Sequence, residues 1–323
     1  MSRLLALLGI DVSKCSLEAC MVRGEKIHRS KFNNDAHGHV ELLSWASSKA
    51  EGFAIRAAVE ATGSHHKELA RYLEKHGQAC LVLNPRQARD LAKGLGISCK
   101  TDKVDAEVIA QVLEVSKVRS QVPRAKLHDD LRDISRQIQE LTELSGRTKN
   151  RLGTPARCKV VKSSDEALIR FCATQIRKLE TKWLALVNKS ETLNAKYEHQ
   201  LSIPGIGPKT AKVVVSELPE ALEGFSSKQV ACYAGVTPCT KESGSLKEAA
   251  HIQGGNSHLR QAFFMPSLSA STRNPECKEF YARLRAKGRS HKQAITAVMH
   301  KLIRRSAAVH IRHQPWLENL DKC

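Results

Sequence analysis

"LLALLGID", residues 4–11, is an apolar run that ends on a carboxylate. Its length and lack of helical spacing read as a strand buried on both faces, with Asp11 where that strand emerges from the sheet. Moving outward, "LEACMV" (17–22) and "KIHRSKF" (26–32) read as two more strands, and "AHGHVELLSWASSK" (36–49) has helical periodicity. "FAIRAAVEA" (53–61) is a further strand, followed by a helix over "HHKELARYLEKHG" (65–77), the strand "QACLVLN" (78–84) and helical stretches after Pro85. Glu60 ends its strand as Asp11 ends the first.

Three strands, a helix, then alternating strand and helix is the order of an α/β RNase H-like (RuvC-like) domain, assigned here to residues 1–125. Residues 126–198 differ. Leu127, Leu131, Ile134, Ile138 and Leu141 step by four and three, as do Ile169, Cys172, Ile176, Leu179, Trp183 and Leu186. That heptad spacing predicts a long helical hairpin or coiled coil, turning at "GTPARCKVVKSS" (153–164) and able to pack on itself or on another subunit. Residues 199–323 read as a third, mainly helical domain.

The chain has 323 residues and a formal net charge of +19. Residues 1–115 hold 16 Lys and Arg against 14 Asp and Glu, and the remainder 36 against 19, so the surplus lies in the later two thirds. An anionic polymer is the natural partner, nucleic acid first. Aromatic residues make up 4%, too few for a broad base-stacking surface, which favours contacts to backbone and shape. No apolar run reaches the roughly 20 residues of a membrane span and no signal peptide is legible, so a soluble, cytoplasmic protein is expected. The ten cysteines form no C-x-x-C pair and are expected to be reduced, mostly buried thiols. No phosphate-binding G-x-x-x-x-G-K-[ST] loop is present, so no nucleotide hydrolysis is expected.

Four acids carry the chemistry. "KTDKVDAE" (100–107) sets Asp102 and Asp105 at i and i+3, which on a helix share one face. Acids in a first helical turn also complement the macrodipole, a purely structural use. Together with Asp11 and Glu60 at strand ends, they can ligate a pair of Mg²⁺ (or Mn²⁺) ions across a scissile phosphate. In "IPGIGPKTA" (203–211), Gly205 and Gly207 read as a helix-hairpin-helix turn whose backbone N–H groups grip phosphate, with Lys209, Thr210 and Lys212 beside it. A tight turn without a ligand is the other reading. Lys241 and Arg260 join the expected nucleic-acid contacts. "ESGS" (242–245) is, from spacing alone, a polar loop with two serines, Ser243 and Ser245.

In order, "GID" (9–11), "EATG" (60–63), "NP" (84–85), "KTDKVDA" (100–106), "IPGIGPKTA" (203–211), "YAGVTP" (233–238), "ESGS" (242–245) and "LRQAFFMP" (259–266) resemble the DEDD-type insertion-sequence transposases. That group includes Piv-type invertases and bridge-RNA-guided recombinases. The resemblance spans nearly the whole chain. It implies a RuvC-like domain supplying Asp11, Glu60, Asp102 and Asp105, and a C-terminal transposase domain supplying Ser243 as a nucleophile that forms a phosphoserine link to DNA. It also implies donor and target DNA, a structured guide RNA, and assembly as a dimer or tetramer. One departure is "PCTKESG" (238–244), where relatives often carry more arginine. Two other readings stay open: a RuvC-type junction endonuclease using water as nucleophile, and a non-catalytic architectural nucleic-acid-binding protein.

Overall fold

The computed structural model describes residues 5–61, 63–83, 85–94, 102–115, 125–154, 158–218, 225–239, 242–243, 246–247 and 251–317. The chain divides into two compact units, Met1–Pro123 and Arg124–Cys323.

The first unit is built on a five-stranded sheet of β1 (Leu5–Val12), β2 (Ser16–Arg23), β3 (Lys26–Asn33), β4 (Ala54–Glu60) and β5 (Ala79–Leu83), in the order β3-β2-β1-β4-β5. β1, β2 and β3 pair antiparallel, while β4 and β5 add in parallel. A parallel addition needs a crossover, and α1 (Ala36–Ala50) supplies the first, started by the Asp35 carboxylate accepting from the Gly38 N–H at 2.8 Å. α2 (His66–Lys75), α3 (Pro85–Gly94) and α4 (Asp102–Val115) follow. Strand alternation splits the core in two. Leu8, Ile10, Ala57 and Val59 face Leu42, Ala46, Leu69 and Leu73 of α1 and α2. Leu7, Ala58, Leu81 and Leu83 face Val108, Ile109, Val112 and Leu113 of α4. β1 is thus buried on both sides, as its unbroken apolar sequence requires, and the mixed sheet is consistent with an RNase H-like arrangement.

Among its described residues, the second unit is helical apart from two small ribbons. α5 (Lys126–Leu152) and α6 (Lys159–Val187) form a hairpin with the expected seam: Leu131, Ile138, Cys172 and Trp183 are buried. α6 begins at Lys159, inside the loop expected to run to Ser164, and the helical path breaks at 188–190, where the Ser190 hydroxyl caps α7 (Glu191–Leu201). α8 (Pro208–Glu217) and α9 (Ser227–Tyr233) come next. β6 (Pro238–Cys239) pairs with β9 (His251–Ile252), and β7 (Glu242–Ser243) with β8 (Leu246–Lys247). α10 (Ser257–Arg273), α11 (Pro275–Ala286) and α12 (His291–Arg312) close the unit.

The base of the hairpin shares one core with these helices. Leu131, Trp183 and Val187 join Val214, Phe263, Val298 and Leu302, and the Trp183 indole donates to the Ser216 hydroxyl at 2.9 Å. Pro266 sits inside α10 and removes the N–H that would have met the Ala262 carbonyl. The Thr210 hydroxyl of α8 donates to that carbonyl instead, at 3.2 Å. Among the described residues no helix is long and apolar enough to cross a membrane.

Candidate active site

Backbone register brings Asp11 and Glu60 to one place. Ile10 pairs with Val59 in parallel, so the residue after each, Asp11 and Glu60, lies at the carboxyl end of neighbouring strands. Alternation puts Asp11 on the face of Leu7 and Gly9, and Glu60 on the face of Ala58, which is the side covered by α4. Both acids are half-buried.

α4 runs against β1. A Cβ on Gly9 would lie 2.0 Å from the Ala106 carbonyl oxygen and 2.5 Å from the Ala110 N, so the helix backbone rests directly on this glycine. Further along, the Arg56 guanidinium of β4 donates to the Leu113 carbonyl at 3.3 Å, level with Leu7 in register. The helix therefore descends from Gly9 toward the strand starts, and its first turn, with Asp102 and Asp105, is carried toward the strand ends that hold Asp11 and Glu60. The side chains of Asp102 and Asp105 lie outside the described residues. Among the described residues no group of three or more His, Cys, Asp or Glu is close enough to hold a metal ion.

Around these acids, several contacts fix the frame. Glu107 of α4 pairs with Arg29 of β3, across the row Gly9, Cys20, Arg29. Burial raises the Cys20 thiol beneath that pair to about 11, with Arg29 pulling down and Glu107 pushing up. Asn34 went unnoticed in the sequence. Its amide donates to the Ser13 carbonyl at 2.8 Å and to the His65 carbonyl at 3.3 Å, tying the turn that follows Asp11 to the segment that follows Glu60. His39 Nε2 lies 3.0 Å from the Asn34 carbonyl oxygen, so that nitrogen carries the proton. Burial holds the His39 pKa below its usual value, against the pull of Glu68 and Asp35. An asparagine in "NND" gives no local signal for this bridging role, because both of its partners are backbone carbonyls set by the fold.

In the second unit the expected phosphate contacts separate. Gly205 (φ 95°), Gly207 and Lys209 are exposed on the α7–α8 turn, which is anchored by buried Ile203 and Ile206. α8 starts at Pro208 with no side-chain cap. Thr210 is spent on Ala262, and Lys212 is buried, with its ammonium 2.8 Å from Glu180 and stacked 5.8 Å over Trp183. Arg260 donates to the carbonyls of Gly254 at 2.7 Å and Gly235 at 3.4 Å, bracing a backbone crossing where a Cβ on Gly235 would meet Gly254 at 2.3 Å. The structure thus commits Thr210, Lys212 and Arg260 to contacts within the protein. Lys241 and Ser245 lie outside the described residues, and Ser243 is placed only as one residue of β7.

A polar cluster also escaped the sequence reading. Buried Glu217 of α8 receives two hydrogen bonds from Arg136 of α5, at 2.6 and 2.9 Å, and one from Asn256 at 2.7 Å. Burial alone would raise its pKa, but the hydrogen bonds from Arg136 and Asn256 outweigh it and leave the carboxyl below its usual range. His258 and Gln139 pair beside it at 2.6 Å.

Residues 8–154 match a family model of DEDD transposases of the IS110 type, and residues 198–282 match the IS116/IS110/IS902 transposase family. The pilin gene-inverting proteins of Moraxella lacunata and Moraxella bovis are each 30% identical over 313 residues, 96% of this chain and 97% of theirs. An uncharacterized 43.6 kDa protein of insertion element IS110 from Streptomyces coelicolor is 34% identical over 95 residues, 29% of this chain and 24% of its own.

These matches correct the expectation of a phosphoserine transposase acting through Ser243. The matched N-terminal block is of the DEDD type and covers the sheet unit that carries Asp11 and Glu60, which supports a RuvC-like, metal-dependent mechanism in place of a serine nucleophile. The physical reason is economy: carboxylate-held divalent ions can activate water themselves, so no side-chain nucleophile is required. What the findings support is a DNA-acting recombinase or nuclease of the DEDD, RuvC-like kind. With both blocks matched in chain order and relatives aligned along nearly its full length, the chain belongs to the IS116/IS110/IS902 family of DEDD transposases, and membership implies a divalent-metal-dependent mechanism.

Proposed function

We propose that this protein is a metal-dependent DNA recombinase whose first unit cuts the DNA backbone at a site made by Asp11, Glu60, Asp102 and Asp105. The observation that supports this most is the pairing of Ile10 with Val59, which sets two acids at adjacent strand ends beneath the first turn of α4. The donor set fits Mg²⁺ or Mn²⁺, which favour carboxylate oxygen. When bound, such ions stabilise charge on the scissile phosphate and lower the pKa of water. The protein's own part is to hold the acids in advance. Asp11 and Glu60 sit on strands whose positions the sheet fixes, and the contact of Gly9 with α4 sets the height of the helical pair. Asn34 holds the two loops that leave the strand ends.

The reaction is that of a RuvC-type endonuclease, with water attacking the phosphate. DNA is the substrate, in line with the inverting relatives and with the basic surplus of the second unit. The α7–α8 turn acts as a helix-hairpin-helix contact: Gly205 and Gly207 allow close approach, α8 lacks a side-chain cap, and Lys209 adds exposed charge. A structured guide RNA and assembly as a dimer or tetramer belong to the same reading, and their support is the motif series and the net charge.

The test uses a synthetic four-way DNA junction with purified protein. Cutting is expected to require Mg²⁺ or Mn²⁺ and to stop with EDTA. Asp11→Asn and Glu60→Gln are each expected to lose more than the roughly 10- to 100-fold that loss of an outer-shell partner costs. Unchanged cutting by either variant, or cutting in EDTA, would overturn the reading.

A further inference from the structure

The most concentrated positive charge among the described residues lies where the family match ends. Residues 283–292, "RLRAKGRSHK", hold Arg283, Arg285, Lys287, Arg289 and Lys292 with no acid among them, and the matched segment stops at residue 282. These residues close α11, turn, and open α12. All five cations are exposed, and among the described residues none is paired with a carboxylate. Deeper between the same helices the opposite holds: Lys301 and Arg305 both pair with Glu276.

The turn is also braced by its own side chains. Gly288 reverses the chain at φ 77°, and the Ser290 side chain and Gln293 form a reciprocal capping box at the start of α12. The Arg285 guanidinium donates to the Arg289 carbonyl at 2.6 Å, and the Tyr281 hydroxyl meets His291 Nδ1 at 2.8 Å. Arg283 lies over the Phe280 ring at 5.4 Å. Side chains that brace the turn leave Lys287, Arg289 and Lys292 pointing their charge at solvent. Five like charges held on one short turn repel one another, a standing cost that a polyanion would offset. Among the described residues 283–292 no large apolar side chain is exposed, which a membrane-binding surface would need.

We propose that the α11–α12 turn is a second, sequence-independent contact to the phosphate backbone of duplex DNA, separate from the α7–α8 turn. It rests on the reading that DNA is the substrate. Each cation that neutralises a phosphate releases counterions, so each steepens the fall of affinity with salt.

The experiment measures binding of a short fluorescent duplex of arbitrary sequence across a salt series, in EDTA so that cutting plays no part. Replacing Lys287, Arg289 and Lys292 by Gln is expected to flatten the slope of log K against log salt by about 0.9 per phosphate lost, roughly 2 to 3 in all. The charge-keeping pair Lys287→Arg and Lys292→Arg should leave the slope unchanged. Should the triple variant fold poorly by circular dichroism, Lys292→Gln alone carries the test, with a change of about 0.9. A duplex slope equal to wild type overturns the proposal, even if binding of a structured RNA weakens. Failure of metal-dependent cutting would leave this slope as it is, so the two readings fail separately.

Discussion

Asn34 shows how much one neutral side chain can hold in place. Three hydrogen bonds converge on it, two of them to carbonyls of the loops that follow Asp11 and Glu60. Removing the amide leaves two exposed carbonyls to water and lets the loops drift independently. Asn34→Ala is therefore expected to raise the Mg²⁺ concentration for half-maximal cutting by up to about tenfold, within the range seen for outer-shell partners of metal ligands. A metal titration checks this against a merely structural role, since lost thermal stability with an unchanged metal midpoint would reject it. The eight described cysteines divide in a similarly local way. Cys20, Cys80, Cys172 and Cys277 are buried, with burial raising Cys80 to about 12, while Cys15, Cys158 and Cys232 are exposed. Thiol burial is thus less general than composition suggested.

At the scale of elements, the proposed four-acid site depends on the contact between β1 and α4. Because Gly9 touches helix backbone and not a flexible side chain, any larger residue must push α4 away from the sheet. Gly9→Val is expected to abolish metal-dependent cutting while leaving the DNA binding proposed for the second unit near wild type. Cutting retained at more than about a tenth of wild type would mean that the acids tolerate a shifted helix, a result at odds with the preorganisation that metal sites require. α10 teaches the complementary lesson. A proline that should weaken its helix is accommodated because Thr210, on a different element, supplies the missing donor.

For the whole molecule, positive charge is spread unevenly between the units. The second unit carries most of the positive charge and also two carboxylates whose pKa values are depressed: Glu217, held by Arg136 and Asn256, and Glu276, held by Lys301 and Arg305. In each, burial raises the pKa and the hydrogen bonds more than reverse it. A depressed folded pKa means stability that is full above the unfolded value of about 4.3 and lost as pH falls through the folded one. The melting temperature of the protein is expected to drop on acidification below that point, and Glu217→Gln should flatten the acid limb while lowering stability at neutral pH. Glu217→Ala should destabilise toward the lower end of the roughly 3–5 kcal/mol typical of a broken buried pair, because Arg136 keeps some access to water. Thermal melts between pH 3 and 7 would show it, and an acid limb unchanged in Glu217→Gln would place the sensitivity elsewhere.

The sequence by itself determined the elements whose signal is local. The unbroken apolar run of β1, the alternation of the strands, the heptad seam of the hairpin and the Gly-Ile-Gly turn all follow from neighbours a few residues apart, and the motif series identified the family. It also singled out Asp11 and Glu60, since an acid at the end of an apolar strand is legible without a partner. What only the tertiary structure decided depends on contacts between residues far apart in the chain. Lys212 and Arg260 read as phosphate contacts until the fold paired one with Glu180 and turned the other onto Gly254. Asn34, Gly9 and the Glu217 cluster carry no local pattern, because, His39 beside Asn34 apart, their partners lie 21 to 119 residues away or on another element's backbone. A polar side chain in a sequence announces what it can bond, and only packing decides whether water, a neighbour or a ligand takes the bond.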